Sequence, residues 1–571
     1  MYKRQADESP LVTLGGEVGA AAAASIARFH TVPYDSLPWI RADLTGEKVS
    51  EFDNEKLNKG NMMVRPFKNY SGDISGRFIE VMALNAHGSR DVHPAFRPLL
   101  EELPKLQRAG GYFAAAGKID WQKPIDYTPK GVSPRMMPAL WGNARMLCGL
   151  VEANRAFPDD KALLATAKKL GDFYVGIVPR FTDPARTAEY VNGTTYASGY
   201  MTCWFPAMEG LVKLSKLTGE KKYLDAAVTI AAFYKDLDRL PIDHSHGMLC
   251  NQVGLLLLYQ ATKDVSYLER VELRWDELLK HSIINPAGGI PEKCPLDGAT
   301  QKGDEGCAEA DWLRLNLELG HVTGKARYWD MAERTLHNHF LQNQTESGGF
   351  GRRIFDCDQD GAYGFKGSQS EWTWCCTFHG QIGFVNLREH LLARRTDTMT
   401  CNLALDFTSQ DKNGKVVSEL LPAKAASEVM RQRIRLDGLP ATVLRIRQPQ
   451  WAEAITAVAG DGTPIPLVSD NGYCATTKPV KSVEFIYAGG VYAEDRHCTR
   501  LPQGPVAGQP FVLCFGPRLF TTGEKVASLP GWPTTIAALE EKGLELFSAK
   551  SGGKHCIFVF GQVAAAQTRQ K

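Results

Sequence analysis

Two segments of the chain concentrate acidic and sulfur-bearing side chains. The first runs from Asn285 to Cys307 and the second from Glu371 to Gly380. Thiolates are strong zinc ligands and one carboxylate completes a tetrahedron, so Glu305-x-Cys307 and the pair Cys375-Cys376 predict a Cys₃Glu site for Zn²⁺. The candidate reactive residues of the two segments are Glu292, Cys294, Asp297, Asp304, Glu305, Cys307, Cys375, Cys376 and His379.

Alternatives to this ligand set remain open at this point. Glu292-x-Cys294 repeats the local pattern of Glu305-x-Cys307, and all of these residues could be buried thiols beside a solvated acidic turn. The chain has 13 cysteines, an odd number spread over a long sequence. Adjacent cysteines rarely bridge each other, because the intervening peptide strains the disulfide. The cysteine usage therefore favours free thiols or a metal site over a disulfide framework.

Composition is that of an ordinary globular protein of several domains. The chain has 571 residues, of which 44% are hydrophobic and 23% charged, and its net charge is +2. That balance leaves no global field to attract nucleic acid or an anionic membrane. The longest clean apolar run, Val253–Tyr259, is far shorter than the ~20 residues of a membrane span.

The N-terminus gives little information on location. The segment MYKRQADESP is not followed by the apolar core of a signal peptide. The sequence does not distinguish a periplasmic from a cytoplasmic protein, and it leaves a homodimer open.

The elements that must position the candidate residues are predicted to be helices. From about residue 61 to residue 395, apolar residues recur at three- and four-residue spacing. Repeated helical hairpins at uneven spacing predict a toroid whose insertions build a site. The predicted helices are Pro138–Phe157, Lys161–Val178, Trp204–Leu217, Lys221–Leu237, Leu249–Ala261, Val265–His281, Glu309–Leu319, Ala326–Phe340 and Phe384–Ala393.

A weak repeat marks the turns of these hairpins. The segments Thr218–Tyr223, Thr262–Tyr267 and Thr323–Tyr328 share one Thr-to-Tyr spacing, and each separates two predicted helices. The plainest interpretation is a recurrent turn between two helices, with no function of its own.

From about residue 396 onward, short β-branched or alternating runs predict strands. They indicate one or two antiparallel β-sandwich modules, a β-sandwich over 396–490 and a second small β module over 491–571. Residues 1–60 form an N-terminal extension that joins either a β module or the helical region. The predicted strands are Thr398–Ser409, Val429–Leu436, Ala441–Gln448, Ile455–Ala459, Ser482–Tyr487, Phe511–Leu519 and Cys556–Phe560.

The order of several motifs resembles glycoside hydrolase family 127, the β-L-arabinofuranosidase group. The motifs are Gly288-Gly289-Ile290, the segment Asp304–Trp312, Gly348–Gly351 and the segment Trp374–Gly380. The resemblance covers the helical region, and the two cysteine motifs in this order are fairly specific. It implies an (α/α)₆ barrel over 61–395 followed by β-sandwich domains.

The resemblance also implies a mechanism. A zinc ion would be held by Glu305, Cys307, Cys375 and Cys376, and Cys375 would be the nucleophile of a retaining, exo-acting glycosidase. Zinc keeps sulfur deprotonated at neutral pH, and a carboxylic acid assists the leaving oxygen and then activates water. Glu292 is the nearest match to the family acid/base, with Asp297 and Asp304 as competitors. The substrate would be an L-arabinofuranose-like or related sugar on a plant or microbial glycan.

The sugar pocket departs from the family pattern. The family places histidines on the helices that match Leu140–Leu150 and Leu249–Tyr259, where this chain has Asn143 and Asn251. An amide can hydrogen-bond a sugar hydroxyl but carries no charge, so the recognised sugar could differ. The predicted substrate-binding residues are Asn143, Asn251, His246, Trp204, Tyr200, Trp374 and His379, with Trp141 and Tyr196 as further aromatic candidates.

Two other functions stay open on the sequence. A polysaccharide lyase on the same toroid would use a Tyr or His base near a cation, for which Tyr200, His246 and Arg352 are available. A non-catalytic carbohydrate-binding protein would keep the zinc as a structural ion. The chain contains no phosphate loop, dinucleotide fingerprint or nucleophile elbow.

Overall fold

The computed structural model describes residues 10–47, 49, 62–63, 70–86, 93–115, 119–122, 136–181, 206–242, 244–294, 303–357, 363–421, 429–495, 497–501, 511–522, 536–541, 544–546 and 556–558. Four predicted site residues, Tyr196, Tyr200, Trp204 and Asp297, lie outside these ranges. About half of the described chain is helical, and the C-terminal part forms strands. None of the described helices is long and apolar enough to cross a membrane.

The described helices are α1 (Gly16–Arg28), α2 (Leu37–Thr45), α3 (Asp73–Ala86), α4 (Phe96–Leu106), α5 (Met136–Ala156), α6 (Lys161–Phe181), α7 (Ala207–Thr218), α8 (Lys221–Leu237), α9 (Ser245–Thr262), α10 (Val265–Lys280), α11 (Gly306–Thr323), α12 (Ala326–Thr335), α13 (Cys376–His390) and α14 (Ile536–Glu540). Helices α5–α13 lie in the region where the sequence predicts helices, four more precede residue 110, and the short α14 lies among the C-terminal strands. A π-helical turn, Leu336–Phe340, continues α12.

Six of these helices form a closed series of contacts. Helix α3 contacts α5, α5 contacts α7, and the series continues through α9, α11 and α13 back to α3. The alternate helices α4, α6, α8, α10 and α12 each pack on a member of this ring. The ring helices are buried on nearly every side, whereas the alternate helices keep a polar face.

The repeated Thr-to-Tyr segments are helix ends, as the sequence predicts. Each threonine hydroxyl donates to a carbonyl four residues earlier and accepts the backbone N–H two residues later. The residue after each threonine has a left-handed backbone, with φ of 75° at Gly219, 64° at Lys263 and 70° at Gly324. The motif therefore ends α7, α9 and α11 in the same way and turns the chain into the next helix.

Two predicted helices need correction. The helix α13 begins at Cys376, eight residues before the predicted Phe384, because its first turns are buried on all sides and show no polar face from which to read a period. The predicted helix Ala326–Phe340 ends as an α-helix at Thr335 and continues as the π turn.

The strands form three sheets. A six-stranded sheet has the order β1-β7-β8-β9-β14-β11, a five-stranded sheet has the order β12-β13-β10-β6-β5, and a third follows β15-β16-β17-β19-β4-β2 with β18 on β17 and β3 on β4. The strands are β1 (Leu11–Leu14), β2 (Met62–Met63), β3 (Gly351–Cys357), β4 (Tyr363–Trp372), β5 (Leu392–Arg394), β6 (Thr398–Cys401), β7 (Phe407–Asp411), β8 (Gly414–Leu421), β9 (Met430–Asp437), β10 (Val443–Arg447), β11 (Ala454–Val458), β12 (Leu467–Asp470), β13 (Tyr473–Thr476), β14 (Ser482–Ala488), β15 (Tyr492–Glu494), β16 (Val512–Phe515), β17 (Arg518–Thr522), β18 (Glu545–Leu546) and β19 (Cys556–Phe558).

The sheets correct the sequence prediction at two places. The hairpin of β3 and β4 lies inside the region predicted to be entirely helical. Strands β6 and β10 run parallel, so the sheets are not antiparallel throughout. The chain between these two strands crosses to the six-stranded sheet as β7, β8 and β9, which is the long connection that a parallel pair requires.

The third sheet joins the end of the chain to the helical region. Strand β19 pairs with β4, whose last residues lead directly into the loop of Cys375 and Cys376. Strand β1 at the other terminus pairs with β7. Both ends of the described chain are thus fixed by pairing, while the domain boundaries given above stay a prediction.

Candidate active site

Four side chains that are distant in sequence converge at the ends of two helices. One donor atom each from Glu305, Cys307, Cys375 and Cys376 lies within 4.8 Å of the others. The Cys307 and Cys376 sulfurs are 3.5 Å apart, the Cys375 and Cys376 sulfurs 3.6 Å, and the Cys375 sulfur lies 3.5 Å from Glu305 Oε1. The residues predicted from sequence to form one ligand set are therefore brought together.

The local backbone explains this convergence. Glu305 is the N-cap of α11 and Cys375 the N-cap of α13, and Cys307 and Cys376 lie in the first turns of those helices. The two helices also contact each other. Helix N-termini carry partial positive charge and favour anionic side chains such as thiolates and carboxylates.

The donor set fits a divalent cation. All four side chains are buried, and Glu305 Oε2 has no hydrogen-bond partner among the described residues. Burial, together with the nearby Cys375 and Glu292, raises the pKa of Glu305 well above its usual value. A bound cation would stabilise a carboxylate and three thiols that lie so close together, because it displaces their protons and neutralises the resulting negative charge. These residues could hold a soft divalent metal.

A second buried group, Glu80, Cys148 and Glu209, has cations of its own. Glu209 accepts from Arg314 at 2.7 Å and from Lys213 at 2.8 Å, and Arg145 lies 3.6 Å away. Although burial opposes the charge of Glu209, these three protein cations hold its pKa well below the usual value, whereas burial raises the pKa of Glu80. The group is therefore a buried ion-pair network of the ring helices and does not need a metal.

A third group consists of His246, Asp311 and His379. Asp311 receives a hydrogen bond from His246 Nδ1 through one oxygen and from His379 Nδ1 at 3.2 Å through the other. Arg77 can only donate, and its Nη2 lies 3.2 Å from His246 Nε2. His246 Nε2 must therefore be the acceptor and its Nδ1 must carry the proton.

That tautomer favours a hydrogen-bonded triad over a metal site. If neutral His246 bound a metal through Nδ1, its proton would be on Nε2. Two donors, this N–H and Arg77 Nη2, would then face each other without an acceptor. Burial lowers the pKa of His246 to about 3 and that of His379 to about 4, although Asp311 opposes both shifts. Both rings are neutral near pH 7. His379 Nε2 is then an unprotonated acceptor, buried and without a hydrogen-bond partner among the described residues.

A fourth group, Asp304, Glu309 and His339, holds the polypeptide around the site. Asp304 accepts the Arg353 backbone N–H at 2.8 Å and the Asn343 amide at 3.3 Å. Glu309 accepts the Ile290 backbone N–H at 3.0 Å, and its other oxygen lies 3.0 Å from His339 Nδ1. Both oxygens of Asp304 thus have partners inside the protein, and burial raises the pKa of Asp304 to about 6.

Glu292 lies in the turn that this group holds. Its backbone N–H donates to Gly303 at 3.1 Å, and its carbonyl accepts the Ser245 N–H at 2.8 Å. The residue is half-buried, and its charge contributes to the raised pKa of Glu305. Glu292 is thus a carboxyl group near the cysteine cluster that keeps contact with solvent. The neighbouring Cys294, which shares the E-x-C pattern, instead contacts Ser245 Oγ at 3.1 Å and lies outside the four-donor set.

The predicted sugar-binding residues have different environments. Trp374 stacks on Trp372 with ring centroids 5.0 Å apart, and Trp141 packs against His246 at 5.3 Å. The Asn143 amide is fully used by backbone groups of Phe113, Ser71 and Ala139. It therefore ties α5 to the segment before it and is not available to a sugar.

Asn251 differs from Asn143. Its amide is buried, and neither its oxygen nor its nitrogen has a hydrogen-bond partner among the described residues. The aromatic candidates Tyr196, Tyr200 and Trp204 lie outside those residues.

Arg77 is a candidate site residue that belongs to none of the sequence motifs. This residue on α3 is buried, donates to Asp73 at 2.8 Å and reaches His246 on α9. Burial opposes its charge, but Asp73, Cys307 and Cys375 raise the pKa of Arg77 and keep it a cation. Its Nη1 has no hydrogen-bond partner among the described residues. The only sequence signal is the Asp73–Arg77 spacing of four within one helix, which is common on solvent-exposed helices.

The tautomer of His246 can be tested by imidazole ¹⁵N NMR. We expect His246 to carry its proton on Nδ1 and to remain neutral from about pH 8 to about pH 5, because its pKa is lowered to about 3. The Asp311→Asn variant is the control, since the loss of the carboxylate should reduce the share of this tautomer. A proton on Nε2 in the parent, or a titration midpoint above about pH 6, would contradict the arrangement.

The chain is similar to known proteins in both sequence and structure. Residues 48–385, more than half of the chain, match the family model described as "Beta-L-arabinofuranosidase, GH127 catalytic domain". No curated protein sequence matches the chain.

The solved structures that share the fold include the following three. A GH127 β-arabinofuranosidase superposes with a TM-score of 0.63 at 16% identity, over 90% of this chain and 85% of the other. A GH127 β-L-arabinofuranosidase from Geobacillus stearothermophilus T6 gives 0.61 at 14% identity, over 90% and 86%. A structure titled only as a glycoside hydrolase gives 0.61 at 14% identity, over 98% of each chain.

Proposed function

The chain belongs to glycoside hydrolase family 127, and from this premise we propose that it is a retaining, exo-acting glycosidase whose nucleophile is Cys375. One observation carries the proposal. Glu305, Cys307, Cys375 and Cys376 converge, buried, at two helix N-termini, with the half-buried Glu292 nearby. The family membership makes the protein a glycosidase; the nucleophile, the metal and the sugar are the proposal.

The same proposal includes the finer architecture. The closed series of α3, α5, α7, α9, α11 and α13, with the alternate helices packed on it, supports an (α/α)₆ barrel. The six-stranded and five-stranded sheets would pack as a β-sandwich beside it. Polar residues of the candidate site come from four of the six ring helices, α3, α9, α11 and α13, so the ring supplies a rigid frame for them.

Zinc is the metal that suits three thiolates and one carboxylate, and when bound it keeps the Cys375 sulfur deprotonated at neutral pH. Among the three cysteines, Cys375 retains 5% of its exposure, whereas Cys307 and Cys376 retain none. A sugar can therefore approach the Cys375 sulfur more readily than the other two. This difference supports Cys375 as the nucleophile.

The reaction would proceed in two displacements. In the first, the Cys375 sulfur bonds to the anomeric carbon while the bond to the leaving oxygen breaks and Glu292 donates a proton to that oxygen. In the second, water attacks the same carbon, Glu292 takes the proton from the water, and the carbon–sulfur bond breaks. Two inversions give net retention.

The sugar would lie between the catalytic pair, Cys375 and Glu292, on one side and nearby aromatic and imidazole side chains on the other. His379 Nε2 can accept a bond from a sugar hydroxyl and Arg77 Nη1 can donate one, since neither has another partner among the described residues. Trp141 and Trp374 offer apolar faces to the sugar ring. Two relatives are titled as β-arabinofuranosidases, one of them as a β-L-arabinofuranosidase, and we propose an L-arabinofuranose-like or related sugar on a plant or microbial glycan.

The metal can be tested by elemental analysis of protein purified without chelator. We expect about one zinc per chain in the parent and a loss of zinc in Cys307→Ser. Cys294→Ser is the matched control, because this buried cysteine belongs to the neighbouring E-x-C pattern but not to the cluster. A parent without zinc, or equal zinc loss in both variants, would contradict the ligand set. The lyase alternative would then be tested by the ultraviolet absorbance of an unsaturated product.

The acid/base can be tested with a series of leaving groups. Glu292→Gln should lower kcat/KM by about 100-fold or more for poor leaving groups and by less than about 10-fold for activated aryl glycosides, which need no proton. Asp304→Asn is the control, since this buried carboxyl holds backbone and should affect all substrates alike. An equal effect of Glu292→Gln across the series would remove Glu292 from this role.

A further inference from the structure

Glu371 is a buried carboxylate at the entrance to the loop that carries Cys375 and Cys376. It accepts hydrogen bonds from Arg28 Nε at 3.0 Å and 3.2 Å, the Tyr34 hydroxyl at 3.0 Å and the Thr377 hydroxyl at 3.2 Å. The Ser347 hydroxyl donates at 2.9 Å. One side chain thus ties together the N-terminal segment, the end of β4 and the start of α13.

These bonds hold the cysteine loop at both ends. Glu371 precedes Cys375 by four residues, and Thr377 directly follows Cys376. Phe350 fastens the same two points, because its carbonyl accepts the Trp372 N–H at 2.9 Å and its own N–H donates to the Thr377 hydroxyl at 3.1 Å. The backbone between Trp372 and Thr377 therefore has little freedom to move the two sulfurs.

The Gly348–Gly351 motif provides the close packing that this arrangement needs. A Cβ at Gly349 would overlap the Glu371 carboxylate, and one at Gly348, where φ is +90°, would overlap the Ala24 carbonyl of α1. A Cβ at Gly351 would overlap the Ser370 carbonyl. The glycines thus let this turn lie directly between α1, β4 and the cysteine loop, which assigns a structural role to a motif that the sequence left unexplained.

Arg28 and Tyr34 belong to the N-terminal segment, outside the matched residues 48–385. Both are buried, and the Phe29 and Tyr34 rings pack on Phe378 of α13 with centroids 5.3 Å and 5.4 Å away. The segment therefore reaches the helix that begins at Cys376 through two kinds of contact, ionic and aromatic.

We propose that Glu371 is a positioning residue for Cys375 and Cys376, and that Arg28 and Tyr34 make the N-terminal segment a part of the active site. This inference rests on the proposed function, because it concerns the placement of the proposed nucleophile and metal ligands. Groups that hold metal ligands from outside typically govern metal affinity by 10–100-fold, and Glu371 acts on Cys376 through the adjacent Thr377. Loss of the Glu371 charge would also leave the Arg28 cation buried without its carboxylate.

The test compares Glu371→Gln and Tyr34→Phe with a matched control, Glu333→Gln. Glu333 is as buried as Glu371 and also pairs with an arginine, Arg447, at 2.6 Å. This ion pair does not involve the cysteine loop. We expect Glu371→Gln to release zinc to a chelating dye about 10- to 100-fold faster than the parent, and to lower kcat with little change in KM. Tyr34→Phe should show a smaller effect of the same kind, and Glu333→Gln should lower the Tm without changing zinc release.

Equal zinc release from Glu371→Gln and Glu333→Gln would overturn the inference, since Glu371 would then be only a structural residue. If the parent holds no zinc, the proposed function fails, and the inference is judged on metal-free protein instead. Alkylation of Cys375 and Cys376 by iodoacetamide, followed by peptide mass spectrometry, should then be faster in Glu371→Gln than in Glu333→Gln. Equal alkylation rates would overturn the positioning role independently of the metal.

Discussion

The structure depends on keeping one carboxylate and three thiols together where water is excluded. Glu305, Cys307, Cys375 and Cys376 are all buried, and charged forms of such groups are costly in a low-dielectric interior. The positive ends of two helices offset part of this cost. The Arg77 cation offsets more of it, because Arg77 lies close enough to Cys307 and Cys375 for these two groups to raise its pKa. A bound divalent metal would complete the neutralisation, and the reactivity of Cys375 would follow from the same arrangement.

Around this cluster, hydrogen bonds between buried polar side chains fix the orientation of the groups that face the site. Arg77 and Asp311 fix the tautomer of His246, Asp311 orients His379, and Glu309 holds the backbone that leads to Glu292. Glu209, deeper in the ring, is neutralised by cations from three ring helices. Buried groups that are paired in this way stiffen the frame, and a retaining mechanism needs such stiffness because the nucleophile and the acid must act on one bond.

The sequence predicts the amphipathic elements well and the fully buried ones poorly. Lys221–Leu237 has the predicted bounds because one face of α8 is polar, whereas α3 and the first two turns of α13 are buried on all sides and show no period. The hairpin of β3 and β4 was missed because Gly364 and Gly367 interrupt the pattern of β4. The four-donor cluster could be predicted because thiols are rare and its order resembles a known family. Arg77 and Glu371 could not, since their importance comes from partners more than 150 residues away.

The central claim is that Cys375 forms a covalent bond with the sugar. The most direct measurement is peptide mass spectrometry of protein quenched with acid during turnover of an activated furanoside. The account predicts one glycosyl unit on the peptide that contains Cys375, and on its sulfur when the adduct is fragmented. A glycosyl unit on another residue would contradict it, as would turnover at the parent rate by a Cys375→Ser variant under the same conditions.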